Sequence, residues 1–280
     1  MTAQLIVTAD DVGLHPGMTS GAIEAHRHGI VTACSIVANG EAFEDAVQRL
    51  KDCPRLDVGL HLTLVEERPV EPVSRVSSIV DTDGRFFRNF RRFIIRYALG
   101  RVKIAEVERE FAAQIEKSLA VGMRVTHLNG HQHLHVLPSI FEGVLRLAEL
   151  YDIPYVRAPL DPHHAESVTR ARLISIGILN RLGASARKAA REAGIFTNSR
   201  TLGITEAGHL TPEILLALID HAEGVTELVT HPGVGTDSIA KRYDWGYAWD
   251  QETAALCDQR VRNAIREQRI ELVGVGQAVA

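Results

Sequence analysis

QLIVTADDVGLHPG, residues 4–17, runs from an unbroken apolar stretch into two acids and a glycine turn. A short segment that is apolar at successive positions fits a strand covered on both faces, as in a parallel sheet, and this one delivers its polar residues at its C-terminal end. The strand is expected over 4–10. Pro16 opens a helical pattern that runs through Ala25 and stops near Gly29. TACSIVAN (32–39) repeats the strand pattern, EAFEDAVQRLKD (41–52) the helix and RLDVGLHLTL (55–64) the strand. Three strands separated by two helices imply right-handed β-α-β winding about a parallel sheet.

The alternation continues to the other end of the chain. After an irregular stretch, a helix near 103–121 leads to MRVTHLNGHQHLHVLP (123–138), a fourth strand with a dense polar end, and Pro138 opens another helix. IPYVRAP (153–159), TELVTHPG (226–233) and IELVGV (270–275) read as strands, with helices near 211–222 and 250–268. No internal repeat or low-complexity linker interrupts the pattern. The expected fold is α/β: a distorted, TIM-like (β/α) barrel of seven or eight parallel strands, one domain over 1–280 with insertions near 64–102 and 160–198. The length suits such a barrel, whose usual size is about 250 residues. A doubly wound open sheet is the structural alternative.

A formal charge of -4 gives no global reason to expect nucleic acid, which calls for a basic excess or face. No run reaches the roughly 18–20 apolar residues of a membrane span, and the N-terminus enters a strand without a charged leader, so a cytoplasmic location is expected. Cys34, Cys53 and Cys257 are odd in number and lack metal-type spacing, which points to reduced, mostly buried thiols.

In a parallel barrel, reactive side chains sit at the C-terminal ends of strands. Polar residues fall there repeatedly: Asp10 and Asp11 on the first strand, His61 on the third, Asn129 and His131 on the fourth, Arg157 on the next and His231 on TELVTHPG. Alternation places His127, Asn129 and His131 on one face. His127 and His131 are separated by ~13 Å of strand, too far to share one ion with bonds near ~2 Å, so His127 is assigned a hydrogen-bonded structural place. Asp11, His61 and His131 make a two-nitrogen, one-oxygen set with open positions, as expected for catalytic Zn²⁺ or a similar divalent ion. Adjacent acids on a strand face opposite ways, but the glycine turn after Asp11 can rotate both toward the rim, leaving Asp10 free to act as base. Asn129, His133 and His135 are assigned to substrate contact or support of the ligands, with a solvated turn as the bland reading of the two histidines. A late-strand histidine is more often structural than ligating, so the set carries the argument rather than any member of it. His26 with His28, and His163 with His164, are given no role.

Together TADDVG, GLHLTL, THLNGHQHLH, VRAP and THPG resemble, in order and spacing, the YdjC-like carbohydrate deacetylase family, within which the sequence is most similar to the hopanoid-biosynthesis-associated branch. The resemblance implies removal of acetyl groups from N-acetylated sugars with one divalent ion, Mg²⁺ or Zn²⁺, on residues matching Asp11, His61 and His131. It also implies Asp10 as general base, Arg157 as the residue orienting it and His231 as general acid. Gln132 stands where the family has a third histidine in its HHH-type run.

The segment FFRNFRRFIIRYALGRVK (86–103) mixes six Arg or Lys with eight aromatic, Ile or Leu residues, and 168–193 repeats the theme. Such basic amphipathic stretches serve as helices packed on the barrel, as homodimer contacts, or as lids and membrane-surface contacts that would admit a glycolipid. Two rival functions stand beside the deacetylase: another metal-dependent barrel hydrolase, such as a phosphoesterase or amidohydrolase, and a non-catalytic sugar- or lipid-binding barrel. The first usually carries HxH on strand one, where this chain has Asp-Asp; the second has no need of the polar rim.

Overall fold

The computed structural model describes residues 2–161 and 170–279. Its strands are β1 (Gln4–Val12), β2 (Ala33–Ile36), β3 (Asp57–Leu62), β4 (His127–Gly130), β5 (Tyr155–Val156), β6 (Arg200–Leu202), β7 (Val225–Thr230) and β8 (Glu271–Leu272). The helices are α1 (Pro16–His28), α2 (Phe43–Leu50), α3 (Phe90–Ala98), α4 (Ile104–Ala120), α5 (Pro138–Leu150), α6 (Arg170–Glu192), α7 (Pro212–Ile219), α8 (Thr236–Ala240), α9 (Trp249–Leu256), α10 (Gln259–Glu267) and α11 (Val275–Ala278). All strand pairs are parallel, in the order β5-β4-β3-β2-β1-β7-β6. β8 pairs the first residues of β1, below the point where β2 takes up that edge.

This is the distorted TIM-like barrel that the alternation implies. The distortion lies between β5 and β6, where the ladder gives way to a single parallel bridge, Tyr155 to Phe196, and to the Asn198 amide, which bonds the backbone N–H and C=O of Ala158. β6 follows the second insertion and is absent from the sequence reading, because three residues give too short a pattern to register period two. The helix expected over 250–268 is two, α9 and α10, separated where Asp258 caps α10 by accepting from Arg260 N.

Strand parity divides the sheet into two chemistries. Leu5, Val7 and Ala9 face outward into a core shared with Ala22, Ile23 and Phe43, while Ile6 joins Ala33, Tyr155, Val273 and Val275 on the barrel floor. Above that floor the interior is polar: Thr8, Asp10, Ser35, His61, His127, Asn129, Tyr155, Arg157 and Glu227 are all buried. Burying so many polar groups is tolerable only where they bond one another. Thr8 Oγ1, Tyr155 OH and Arg157 Nη2 accordingly all donate to Glu227, at 2.7, 2.8 and 2.8 Å. The His127 ring sits where a Cβ at position 59 would be 2.4 Å away, so Gly59 is what admits it. His127 Nδ1 meets Thr126 Oγ1, in keeping with a structural place, and burial drops its pKa to about 4.

The first insertion is less irregular than its sequence. It carries α3 and is clamped to α4 by a buried row at helical spacing: Glu106 accepts from Ser78 N, Glu110 from Val70 N and Glu71 N, and Gln114 bonds both N–H and C=O of Thr63. The second insertion forms α6, whose Ile176 and Leu179 line the pocket at the barrel mouth. His163 and His164 lie outside the described residues. No described helix is long and apolar enough to cross a membrane.

Candidate active site

Asp10 and Asp11 both reach the barrel mouth, by a device the sequence reading placed elsewhere. The register of β1 on β2 shifts between Ala9 and Val12, so the two acids together oppose Ser35. This is a β-bulge, which inserts one residue and re-aims the side chains around it. Asp11 itself takes φ +65°, the left-handed region that non-glycine residues rarely adopt, so the rotation occurs at Asp11, two residues before Gly13.

Around Asp10 the protein supplies every donor. Its Oδ1 accepts from Ser35 Oγ (2.7 Å), Asn129 Nδ2 (3.0 Å) and Arg157 Nη2 (3.0 Å); its Oδ2 accepts from Arg157 Nη1 (2.5 Å). Burial alone would raise the carboxyl pKa, but the Arg157 guanidinium and nearby imidazoles hold it well below the usual carboxylate range. Arg157 is itself buried, forked between Asp10 and Glu227, and stays charged. His135 Nε2 donates to the Arg157 carbonyl (2.9 Å), which fixes the backbone carrying the guanidinium. His135 thus lies beneath the site rather than in it.

Around Asp11 the neighbours are imidazoles. His61 Nε2 lies 3.3 Å and His131 Nδ1 2.9 Å from the same oxygen, Asp11 Oδ1. The three side chains are buried, with one donor atom from each within 4.8 Å of the others, so they are able to hold a metal ion.

The fit to a cation follows from the tautomer of His61. In register, His61 stands beside Asn129, whose Nδ2 is committed to Asp10 and whose Oδ1 therefore faces His61 Nδ1, at 2.7 Å. Ser35 Oγ, which donates to Asp10, also presents a lone pair to Nδ1, at 3.1 Å. Two acceptors on Nδ1 place the proton there and leave Nε2 bare, directed at the Asp11 carboxylate. A lone pair facing an anion is an unfavourable buried contact unless a cation lies between them or the ring takes a second proton.

The remaining rim residues occupy distinct places. Gly130 stays extended (φ -159°, ψ 143°), so the parity of β4 carries through to His131. Gln132 and His133 then turn left-handed, at φ +53° and +54°, and both line the pocket, the buried Nδ1 of His133 having no hydrogen-bond partner among the described residues. His231 lines the opposite wall; its backbone N–H donates to Glu252 on α9, whose Oε1 is also 3.9 Å from His231 Nδ1. Burial lowers the pKa of His231 and raises that of Glu252 to about 7.

The pocket holds about 210 Å³ and opens beside a larger cleft of about 1070 Å³. Gln132, Trp245 and Tyr247 line both. Tyr247 is held by close approach: a Cβ at position 208 would be 2.1 Å from its ring.

Sequence reading missed Ser35, Glu66, Glu227, Trp245, Tyr247 and Glu252. Parity on β7 would have found Glu227, which shares a face with His231. Trp245, Tyr247 and Glu252 come from a loop and a helix start, where no periodicity aims side chains at the barrel.

Comparison with known proteins agrees with this architecture. The YdjC-like protein family model matches residues 4–267. The carbohydrate deacetylase of Brevibacillus brevis is 32% identical over 272 residues, covering 96% of this chain and 97% of its own length. That of Thermoanaerobacter pseudethanolicus is 27% identical, covering 96% of each. Among solved structures, a protein of Enterococcus faecalis V583 with a provisional assignment to cellobiose-phosphate cleavage superposes with a TM-score of 0.81 at 26% identity, over 100% of both chains. Family match, relatives and barrel coincide over nearly the whole length, and the chain belongs to the YdjC-like protein family.

Proposed function

We propose that this protein is a metal-dependent deacetylase that removes the acetyl group from an N-acetylated amino sugar of the N-acetylglucosamine type, releasing acetate and a free amine. The observation that carries the reading is the pair of imidazole nitrogens converging on Asp11 Oδ1 beside a separately satisfied Asp10. The names of the relatives support the choice of an acetylated carbohydrate.

Asp11, His61 and His131 would hold one divalent ion, Zn²⁺ or Mg²⁺, which when bound acidifies water and polarises an acyl oxygen. Asp10 would take the proton of the attacking water. Its Oδ1 is saturated by three donors while Oδ2, among the described residues, accepts only from Arg157, so Oδ2 is the oxygen with a free lone pair. Arg157 would keep that carboxylate ionised and aimed. An amide nitrogen leaves poorly until protonated, and His231, across the pocket, would supply that proton. Glu252 accepts from the His231 backbone N–H and so holds that residue at the wall. Asn129 fixes His61, and His133 is positioned to bond the sugar.

The substrate proposed from the hopanoid-branch resemblance is a glycolipid, presented at a membrane surface. It is supported by exposed Ile95 (59%) on α3, Leu99 (60%) at its C-cap, and Ile174 (66%) and Ile178 (58%) on α6, because these helices also contribute Phe90 and Ile176 to the walls of the two cavities. Co-sedimentation with anionic liposomes at low salt tests it; protein that stays in the supernatant removes the membrane part of the proposal. A homodimer using the same faces would instead appear as a doubled mass in light scattering.

The enzymatic reading is tested by measuring acetate from N-acetylglucosamine oligomers and from glycolipid, with phosphate esters as the rival substrates. Acetate release that disappears in Asp10→Asn supports it; turnover of a phosphate ester alone moves the protein to the phosphoesterase class.

A further inference from the structure

Glu66 lies outside every motif the sequence offers, yet it joins the two halves of the cavity system. Its backbone is left-handed (φ +69°), which turns the side chain of a loop residue back toward the barrel mouth. Oε2 lies 3.2 Å from His131 Nε2, and Oε1 accepts from Trp245 Nε1 at 3.1 Å. The Trp245 ring in turn lies over the His131 ring, centroids 5.3 Å apart at 39°. The next residue secures the same loop pair: Glu67, buried, accepts from Arg242 and from Tyr243 OH.

The two imidazoles are therefore built alike. Each turns one nitrogen to Asp11 Oδ1 and gives the other to an acceptor: His61 Nδ1 to Asn129 Oδ1, His131 Nε2 to Glu66 Oε2. An acceptor on the far nitrogen fixes the proton there and leaves the near one bare for an ion. Because Glu66 approaches the nitrogen remote from Asp11, it serves the ligand rather than joining the set. We infer that Glu66 is a positioning residue that directs the lone pair of His131 Nδ1 into the cation site and, through Trp245, fastens the wall shared by the pocket and the adjoining cleft to that ligand. This rests on the proposed cation at Asp11, His61 and His131.

The test is Zn²⁺ titration by calorimetry of the chelator-treated full-length protein, comparing wild type with Glu66→Gln, Glu66→Ala and Trp245→Phe, each checked by circular dichroism. Wild type should bind one ion per chain, Glu66→Ala about 10–100-fold more weakly. Glu66→Gln, which keeps an acceptor oxygen without the charge, should fall between them, and Trp245→Phe should stay within a few-fold of wild type. Tryptophan fluorescence should change on Zn²⁺ addition in wild type, and that change should be lost in Trp245→Phe, which leaves Trp249 as the other indole. A folded Glu66→Ala that binds Zn²⁺ within threefold of wild type overturns this inference while leaving the cation reading intact. No Zn²⁺ uptake by wild type overturns both.

Discussion

The wall of the pocket that receives Asp10 and the wall that receives Asp11 differ in what they donate. Asp10 meets a guanidinium, a hydroxyl and an amide, all fixed by the barrel interior and none a metal ligand of the usual kind. Asp11 meets two imidazoles and, among the described residues, no other hydrogen-bond donor. Consecutive residues of one strand are thereby given separate surroundings: one carboxylate is neutralised by the protein, the other faces two imidazoles with which it could hold a metal ion. A third buried carboxylate completes the comparison. Glu110 on α4 has only neutral donors among the described residues, and burial lifts its pKa to about 7, opposite in direction to the two aspartates. Burial alone therefore raises a carboxyl in this fold, and at Asp10 the Arg157 guanidinium reverses that direction.

The strongest way to break this comparison is to exchange the losses. Asp11→Asn should weaken Zn²⁺ binding by more than the roughly 10–100-fold that loss of a supporting residue costs, and should abolish acetate release. Asp10→Asn should leave Zn²⁺ affinity within a few-fold of wild type yet lower kcat by about 10²–10⁴-fold. It should also destabilise the fold by on the order of 3 kcal/mol in denaturant unfolding, because Arg157 is then left with Glu227 alone. If both variants lose metal alike, the division of labour is wrong.

Next in size is the proposed acid. His231→Ala should cost about 10²–10⁴-fold on an acetamide. The penalty should be much smaller on an acetyl ester with a good leaving group, which departs without a proton. Equal losses on amide and ester would give His231 a binding role instead.

Asn129→Leu probes how the Asp10 wall supports the Asp11 wall. Without the amide oxygen, His61 can rest with its proton on Nε2, and Zn²⁺ affinity should fall about 10–100-fold in calorimetry. An unchanged affinity would show that Ser35 alone holds the tautomer.

The smallest expected effect is at Glu110. The folded protein keeps this proton to about pH 7, whereas the unfolded chain releases it near the ordinary value of 4.5, so the folded state binds the extra proton in between. Stability from this group is thus complete below 4.5 and is lost as pH rises through about 7. Glu110→Gln should flatten that decline in a series of melting temperatures from pH 5 to 8. A slope unchanged by the substitution would assign it elsewhere.

Much of this organisation is legible in the sequence because the barrel has a two-residue side-chain period. QLIVTADDVG announces a buried strand with a reactive end, parity along HLNGH assigns Asn129 and His131 to one face, and the rise of the strand removes His127 from the ligands. What parity cannot read is a bulge: nothing in Asp10-Asp11 reveals that Asp11 adopts the left-handed backbone that brings both acids to one rim. Nor can it read residues from outside the sheet. Glu66, Trp245 and Glu252 reach the site from loops and a helix start, where side-chain direction is set by packing against distant segments. The short β6 is invisible for a third reason: over three residues it has no pattern to show, and Asn198 just before it and Thr201 within it serve the barrel by bonding the 158–160 backbone.

Anomalous scattering at the zinc edge from a crystal of the Zn²⁺-loaded protein would locate the ion proposed for Asp11, His61 and His131 and show whether Asp10 stays on Arg157. One peak should lie within bonding reach of Asp11 Oδ1, His61 Nε2 and His131 Nδ1, with Asp10 still forked to Arg157. A peak on Asp10 or His133, or none at this rim in crystals containing Zn²⁺, would contradict that proposal.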